Sequence, residues 1–274
     1  MGAIITLTTD LGLNDAYVAA MKGVILGINP EVRLIDICHT IEPQNILQAA
    51  FVLSTAYEFF PQKTIHLVVV DPGVGTERRA IILRTPSADF VAPDNGLLSY
   101  VIRKSLTKSA EENTNLQQIE LKLELEAVAI TKSQFWRLPV SSTFHGRDIF
   151  APIAARLSLG FRPIDLGETI NTVTMLPLPH PYWTPDGGLV GHIVHIDSFG
   201  NLVTNIRSSD LPQTKQAITI EVGNQLISGL SRTYAEGKGL LALIGSSGYL
   251  EIALVGGSAC ALIDTKVGNE LRVK

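Results

Sequence analysis

The chain has 274 residues, 46% of them apolar and 18% charged, enough to bury one large core or two modest ones. A formal charge of -4, with no basic run interleaved with aromatics, argues against a nucleic-acid partner. No apolar run has the length of a membrane helix, and no basic segment precedes the first apolar one, so neither a membrane partner nor a signal peptide is expected and the location implied is cytoplasmic.

Ala3–Thr8 reads as a first strand ending in "TTDLG". A helix is predicted over Ala16–Gly27, capped by Asn14 or Asp15, with Tyr17, Met21, Val24 and Ile25 facing inward. "NPEVRLIDI" supplies a turn and a strand over 33–37. "PQNILQAAFVLSTAYEFF" follows as a longer helix with positions 46, 50, 53 and 57 apolar, closed by Pro61. His66–Val70 is short, continuous and β-branched, the pattern of a fully buried strand, and it stops at Asp71. Pro72, Gly73 and Gly75 then turn the chain and leave the Asp71 carboxylate at the strand tip. Ligands of open parallel sheets lie beyond such tips, and Arg78 is the candidate partner for a charge placed there.

"RAIILRT" and "DFVAP" give two more strands, and Asp94, Asn95 and Gly96 form a turn that launches a short helix. The polar stretch 103–126 reads as an excursion that runs into an alternating strand, Ile119–Ala127. "SSTFHGRDIFAPIAARLSLG" places His145 in a loop before a helix over Ile149–Leu159. Strand and helix alternate as in a sheet covered on both faces, so residues 1–172 are expected to form an α/β sandwich domain. "LPLPHPYWTPDGG" holds four prolines and two glycines in 13 residues, which marks 173–185 as a linker. Residues 186–274 are nearly all short strands with glycine or asparagine turns, a small all-β barrel or sandwich, with one short helix possible near 256–263. Cys38 and Cys260 lie far apart in apolar context, as two buried thiols would.

Three carboxylates, Asp10, Asp71 and Asp94, stand at strand or turn ends. Each alone reads equally as a turn former accepting backbone N–H bonds. Their shared topological position favours ligand contact, and Asp10 is the candidate to hold a vicinal diol such as a ribose. His145 precedes a glycine and a helix start that leave its imidazole free to face outward. The histidines at 39, 66, 180, 192 and 195 lack carboxylate or cysteine at metal spacing, so no metal site is expected. GxGxxG, P-loop and GxSxG signatures are absent. In the carboxy-terminal half, Asp197 and Asn201 flank a Phe-Gly turn and could meet an amino-acid zwitterion, with Ser246 and Ser247 suited to its carboxylate; both segments read equally as plain β-turns.

Taken in order, "TDLGLNDAYVAAMKG", "IHLVVVDPGVGTERR", "VAPDNGLLS", "STFHGRDIFAPIAA", "IDSFGNLVTNI" and "GSSGYLEIA" resemble the blocks of the S-adenosylmethionine hydroxide adenosyltransferase family, relatives of the fluorinase and chlorinase enzymes. The resemblance implies hydrolysis of S-adenosylmethionine (SAM) to adenosine and L-methionine, with no cofactor, by a homotrimer whose sites lie between subunits. It implies an Asp71, Arg78 and His145 catalytic triad and ribose contact through Asp10. Asn14 or Asp15 would contact ligand from the helix start, as would Asp94 and Asn95 from their turn. Asp197, Phe199, Asn201, Ser246 and Ser247 would line the methionine side, and Tyr234 and the strand 252–256 would face adenine. The halogenating relatives carry an uncharged residue where Asp71 stands, and a halide would be repelled by that carboxylate, so water is the favoured nucleophile. The alternatives are a SAM-dependent halogenase and a non-catalytic adenosine- or SAM-binding module.

Overall fold

A computed structural model describes residues 2–105, 115–121, 124–212 and 218–274. The chain divides into two compact units, Met1–Pro177 and Leu178–Lys274. Among the described residues no helix is long and apolar enough to cross a membrane.

The first unit contains strands β1 (Ile4–Thr9), β2 (Arg33–Cys38), β3 (Thr64–Val69), β4 (Ala80–Arg84), β5 (Ala88–Pro93), β6 (Gln117–Glu120), β7 (Glu126–Ala129), β8 (Glu168–Ile170) and β9 (Thr172–Met175). Its helices are α1 (Tyr17–Ile28), α2 (Ile46–Ala56), α3 (Ser99–Ser105) and α4 (Ala151–Ser158). Seven strands form one sheet in the order β2-β1-β3-β5-β4-β7-β8. The β2-β1-β3-β5 part is parallel, and β4, β7 and β8 complete the sheet antiparallel. Strand alternation divides the apolar residues between two faces. Leu67 and Val69 pack with Met21 and Ile25 of α1 and Ile153 of α4, whereas Val68 and Val70 pack with Leu53 of α2 and Val101 of α3.

Consecutive crossovers from β1 and β2 therefore run in opposite directions over opposite faces. That arrangement opens a crevice between the carboxyl ends of β1 and β3, the topological switch point of an α/β sheet. Thr9 pairs with Val69 across it, so Asp10 and Asp71 stand at adjoining strand ends.

The polar region departs from the single strand expected over 119–127. β6 pairs with β9 in a separate two-stranded ribbon and β7 joins the main sheet, because Ala127 and Val128 have apolar partners there that Gln117–Glu120 cannot use. Thr172–Met175, which precedes the proline-rich stretch and overlaps the start of the expected 173–185 linker, is thus paired strand. The cap expected for α1 is also absent: Ala16 occupies the cap position without a side-chain hydrogen bond. Val18, rather than Tyr17, completes its buried stripe with Met21 and Ile25. Tyr17 is about half exposed and meets Phe144 edge-on, 5.1 Å between ring centroids.

The second unit holds β10 (Tyr182–Trp183), β11 (Leu189–Ile196), β12 (Leu202–Arg207), β13 (Thr219–Val222), β14 (Gln225–Ser228), β15 (Leu240–Ile244), β16 (Tyr249–Leu254), helix α5 (Ala259–Ile263) and β17 (Glu270–Val273). Antiparallel pairing runs β14-β13-β17-β11-β12-β16-β15, and the end strands β14 and β15 approach each other, so the sheet nearly closes into a barrel. Its interior is filled by Leu202, Ile206, Ile220, Leu250, Ile252 and Leu271, among others. The fold is thus a mixed α/β domain followed by an all-β near-barrel. Cys38 and Cys260 are free thiols, half-buried rather than buried, because each sits at an element end.

His66, in the middle of β3, is fully buried. Its Nδ1 lies 2.7 Å from Thr6 Oγ1 and its ring stacks on Phe90 at 4.9 Å, while Nε2 meets no hydrogen-bond partner among the described residues. Burial pushes its pKa from 6.5 down to about 4. Below pH 6.5 the unfolded chain takes up a proton that the folded chain refuses until about pH 4, so stability is full above 6.5 and falls as pH drops through this window. At about 1.4 kcal/mol per pH unit the loss is about 3 kcal/mol. Urea unfolding at pH 7 and pH 4.5 should show it, and His66→Asn should flatten the difference; parallel curves for the two proteins would refute the assignment.

Candidate active site

Asp71 follows β3 on the α1/α4 side of the sheet, and the loop after it folds back at once. Val74 N–H donates to Asp71 O and Thr76 Oγ1–H to Gly73 O, giving two successive turns that bring Arg78 back over the strand end. Arg78 Nε donates to Asp71 Oδ1 at 2.8 Å and its Nη2 to Oδ2, a two-pronged pair. The Arg78 and Asp71 side chains are 11% and 6% exposed, so the pair is largely removed from water. The same Nη2 lies 2.8 Å from His145 Nδ1. A guanidinium only donates, so Nδ1 accepts and the imidazole proton sits on Nε2. Burial first, then the Arg78 charge, holds the His145 pKa below its ordinary value, against smaller opposing effects of Asp71 and Asp148. His145 is therefore neutral at pH 7, with its N–H free to donate.

His145 opens a π-turn over Gly146–Phe150 that continues into α4, the kind of helical irregularity that recurs at functional sites. Arg78 lies over the Phe150 ring, its Cζ 5.2 Å from the centroid. Beneath the turn, Asp148 is completely buried. It accepts from Arg147 Nε and Nη2, both 2.7 Å, from Ser141 N–H at 2.9 Å and from Arg137 Nη1 at 3.2 Å. Burial pushes the Asp148 carboxyl up, but these bonds outweigh it and hold the group below its usual pKa. Loop 137–145 is thereby fixed at its start and its middle. Gly75, at φ +79°, closes the arrangement, since a Cβ there would collide with the Ser142 carbonyl oxygen. A cavity of about 280 Å³ adjoins Arg78 and His145, walled by Trp136, Val140 and Ile149.

Asp10 sits across the crevice, with Oδ2 accepting from Gln44 N–H at 2.8 Å. Asn14 and Asp15 are exposed in the segment before α1. Asp94 and Asn95 are committed elsewhere. Asp94 is buried, paired with Arg79 and accepting Thr174 N–H at 2.7 Å, and Asn95 donates to Val70 O and accepts from Leu97 N–H. Both side chains tie β5 to its neighbours, and the three strand-end carboxylates do not form one cluster.

In the second unit, Asp197 holds its own turn together, accepting from Phe199 N–H, Asn201 N–H and Asn201 Nδ2. Asn201 is buried, whereas Phe199 is 76% exposed at the turn tip. Ser246 and Ser247 are exposed in the β15–β16 turn. Tyr234 OH donates to Glu251 Oε1 at 2.6 Å. That hydrogen bond first, then burial and the Glu251 and Asp197 charges, raises the Tyr234 pKa to about 12. Burial and Asp197 also raise Glu251, partly offset by the tyrosine. Glu251 and Asp148 are the buried acids that sequence reading passed over. The available signal was a single carboxylate inside an otherwise apolar run, "YLEIAL" and "RDIFAPIAA", where an unpartnered charge is rarely tolerated.

The description "SAM hydroxide adenosyltransferase N-terminal domain" matches residues 5–167, and its C-terminal counterpart matches 191–272. A protein from Salinispora tropica named (R)-S-adenosyl-L-methionine hydrolase is 37% identical, over 98% of this chain and 97% of that one. A fluorinase from Nocardia brasiliensis is 28% identical over 99% of this chain and 96% of its own. The crystal structure of a conserved protein from Thermotoga maritima superposes with TM-score 0.85 at 33% identity, covering 98% of this chain and 99% of that one. With both domains matched in order and one α/β and one near-barrel unit in place, the chain belongs to the SAM hydroxide adenosyltransferase family.

Proposed function

We propose that the protein hydrolyses SAM to adenosine and L-methionine by attack of water on the ribose 5′ carbon. The observation that carries this reading is the half-buried Asp71–Arg78–His145 cluster at the carboxyl end of β3, beside Asp10. Sulfonium sulfur leaves as a neutral thioether, so the reaction asks for placement of the nucleophile and removal of one proton rather than for help to the leaving group. His145, with its proton on Nε2, donates to the water oxygen and orients it. Asp71 takes the proton as the C–O bond forms and the C–S bond breaks. Arg78 holds both carboxylate oxygens in place, each keeping a lone pair for the water. Asp71 is thus the base, because the one basic nitrogen of His145 is already occupied by Arg78.

Asp10 would take the ribose hydroxyls, and Asp197, Asn201, Ser246 and Ser247 the methionine portion. Phe199 would cover the methionine side and Tyr234 the adenine. A cytoplasmic homotrimer, with each site completed by a neighbouring subunit, belongs to the same proposal, and light scattering at three times the chain mass would support it.

The test is incubation of purified protein with SAM in chelated, halide-free buffer, followed by chromatography. Stoichiometric adenosine and methionine are expected. Product formed only when chloride or fluoride is added, as the 5′-halogenated nucleoside, would transfer the site to halogenation. Adenosine binding without any product above background would make the protein a binding module.

A further inference from the structure

Asp10 sits on a loop that is tied to the segment after β2 at three points, and the tie centres on a histidine that the proposed reaction does not use. His39 is 4% exposed. Its carbonyl accepts Gly12 N–H at 2.8 Å, and its Nδ1 lies 2.8 Å from Thr9 Oγ1. Thr9 Oγ1 also accepts Leu11 N–H at 3.3 Å, and because a carboxylate only accepts, the Asp36 oxygen beside Nε2 favours the imidazole proton there, with Nδ1 accepting the Thr9 hydroxyl hydrogen. That Nε2 lies 3.0 Å from Asp36 Oδ1, a close polar contact outside hydrogen-bond alignment, and Asp36 also pairs with Lys22 at 2.6 Å.

The third tie is Gln44 N–H to Asp10 Oδ2. Gln44 adopts φ +66°, a left-handed conformation that costs a non-glycine residue and persists where surrounding structure enforces it. The β1–β2 register also slips between Leu7 and Thr8, where the strand approaches this loop. By residue type, Thr9, His39 and Asp36 could be taken for a nucleophile relay. Thr9 is fully buried, however, so its hydroxyl cannot reach a substrate.

We propose that His39 is a positioning residue: held by Asp36 and bonded to Thr9, it sets the loop so that one Asp10 oxygen is engaged by Gln44 and the other is presented to a ribose diol. This rests on the reading of Asp10 as the ribose contact. Its specific consequence is discrimination for the 2′ and 3′ hydroxyls, separate from turnover at the 5′ carbon.

The experiment measures Kd by calorimetry on the full chain for adenosine and for 2′,3′-dideoxyadenosine, and takes their ratio. Asp10→Asn should collapse the ratio; if it does not, the ribose assignment itself falls. Given that collapse, Thr9→Val should lower the ratio about tenfold, as for a lost buried hydrogen bond that also displaces its neighbour, and Thr9→Ser should restore it. Asp36→Asn, at a half-exposed position that leaves the core untouched, should move the ratio in the same direction by a smaller factor. A wild-type ratio in Thr9→Val, or in Asp36→Asn should the threonine variant not fold, would overturn the positioning role while leaving Asp10 in place. A loss of thermal stability with no change in ratio would reduce the series to scaffolding and likewise overturn it.

Discussion

Asp71→Asn is expected to lower kcat for SAM hydrolysis by about 10³-fold, the scale of a lost general base. Two effects act in the same direction. The amide cannot accept the proton, and its NH₂ would face Arg78 Nη2, donor against donor, which breaks one prong of the pair seen here. Adenosine should still bind within about threefold of wild type, because the diol contact is assigned to Asp10 and a lost base acts on the transition state. Single-turnover quench measurements with adenosine titration will separate these. An activity within tenfold of wild type would remove Asp71 from the chemistry and leave the cluster a structural ion pair.

The second large effect is expected at a residue that touches no substrate. Asp148→Asn should cost about 3 kcal/mol of stability, since charge-assisted bonds from Arg147 and Arg137 are weakened and the amide nitrogen opposes a donor. Arg147 and Arg137 are partly exposed and can rehydrate, which limits the cost to less than that of stranding a fully buried partner. Because Asp148 also pins Ser141 N–H, the loop that leads into His145 should shift, and kcat should fall about 10²-fold even at temperatures where the variant is folded. Chemical denaturation paired with turnover at 15 °C tests both; a destabilised protein with unaltered kcat would show that the loop is held by other contacts.

Much of this site was legible before folding. The run His66–Val70 announces a strand buried on both faces, and the following Asp-Pro-Gly announces its tip, so Asp71 and its partner Arg78 could be paired from spacing alone. His145 was visible as a side chain released by a following glycine. Its tautomer was not, because that depends on Arg78 Nη2 arriving from 67 residues away. Asp94 shows the opposite limit. Its local sequence is that of a ligand-contacting turn, but Arg79 and the Thr174 amide consume it, and neither partner is marked by spacing. The strand expected across 119–127 failed for a related reason, since alternation reports a face but not which sheet the face will join. Residues 106–114 and 122–123 of the polar excursion, the latter two within the strand expected over 119–127, lie outside the described residues.

Asp71 and Arg78 are seven positions apart and form their contact within one turn-rich segment, which the sheet and the turn into α4 hold in place. A new reaction could therefore be written into this scaffold by editing a few neighbouring codons and the one that specifies His145. Placement of the scaffold and placement of these reactive side chains are separable in the sequence.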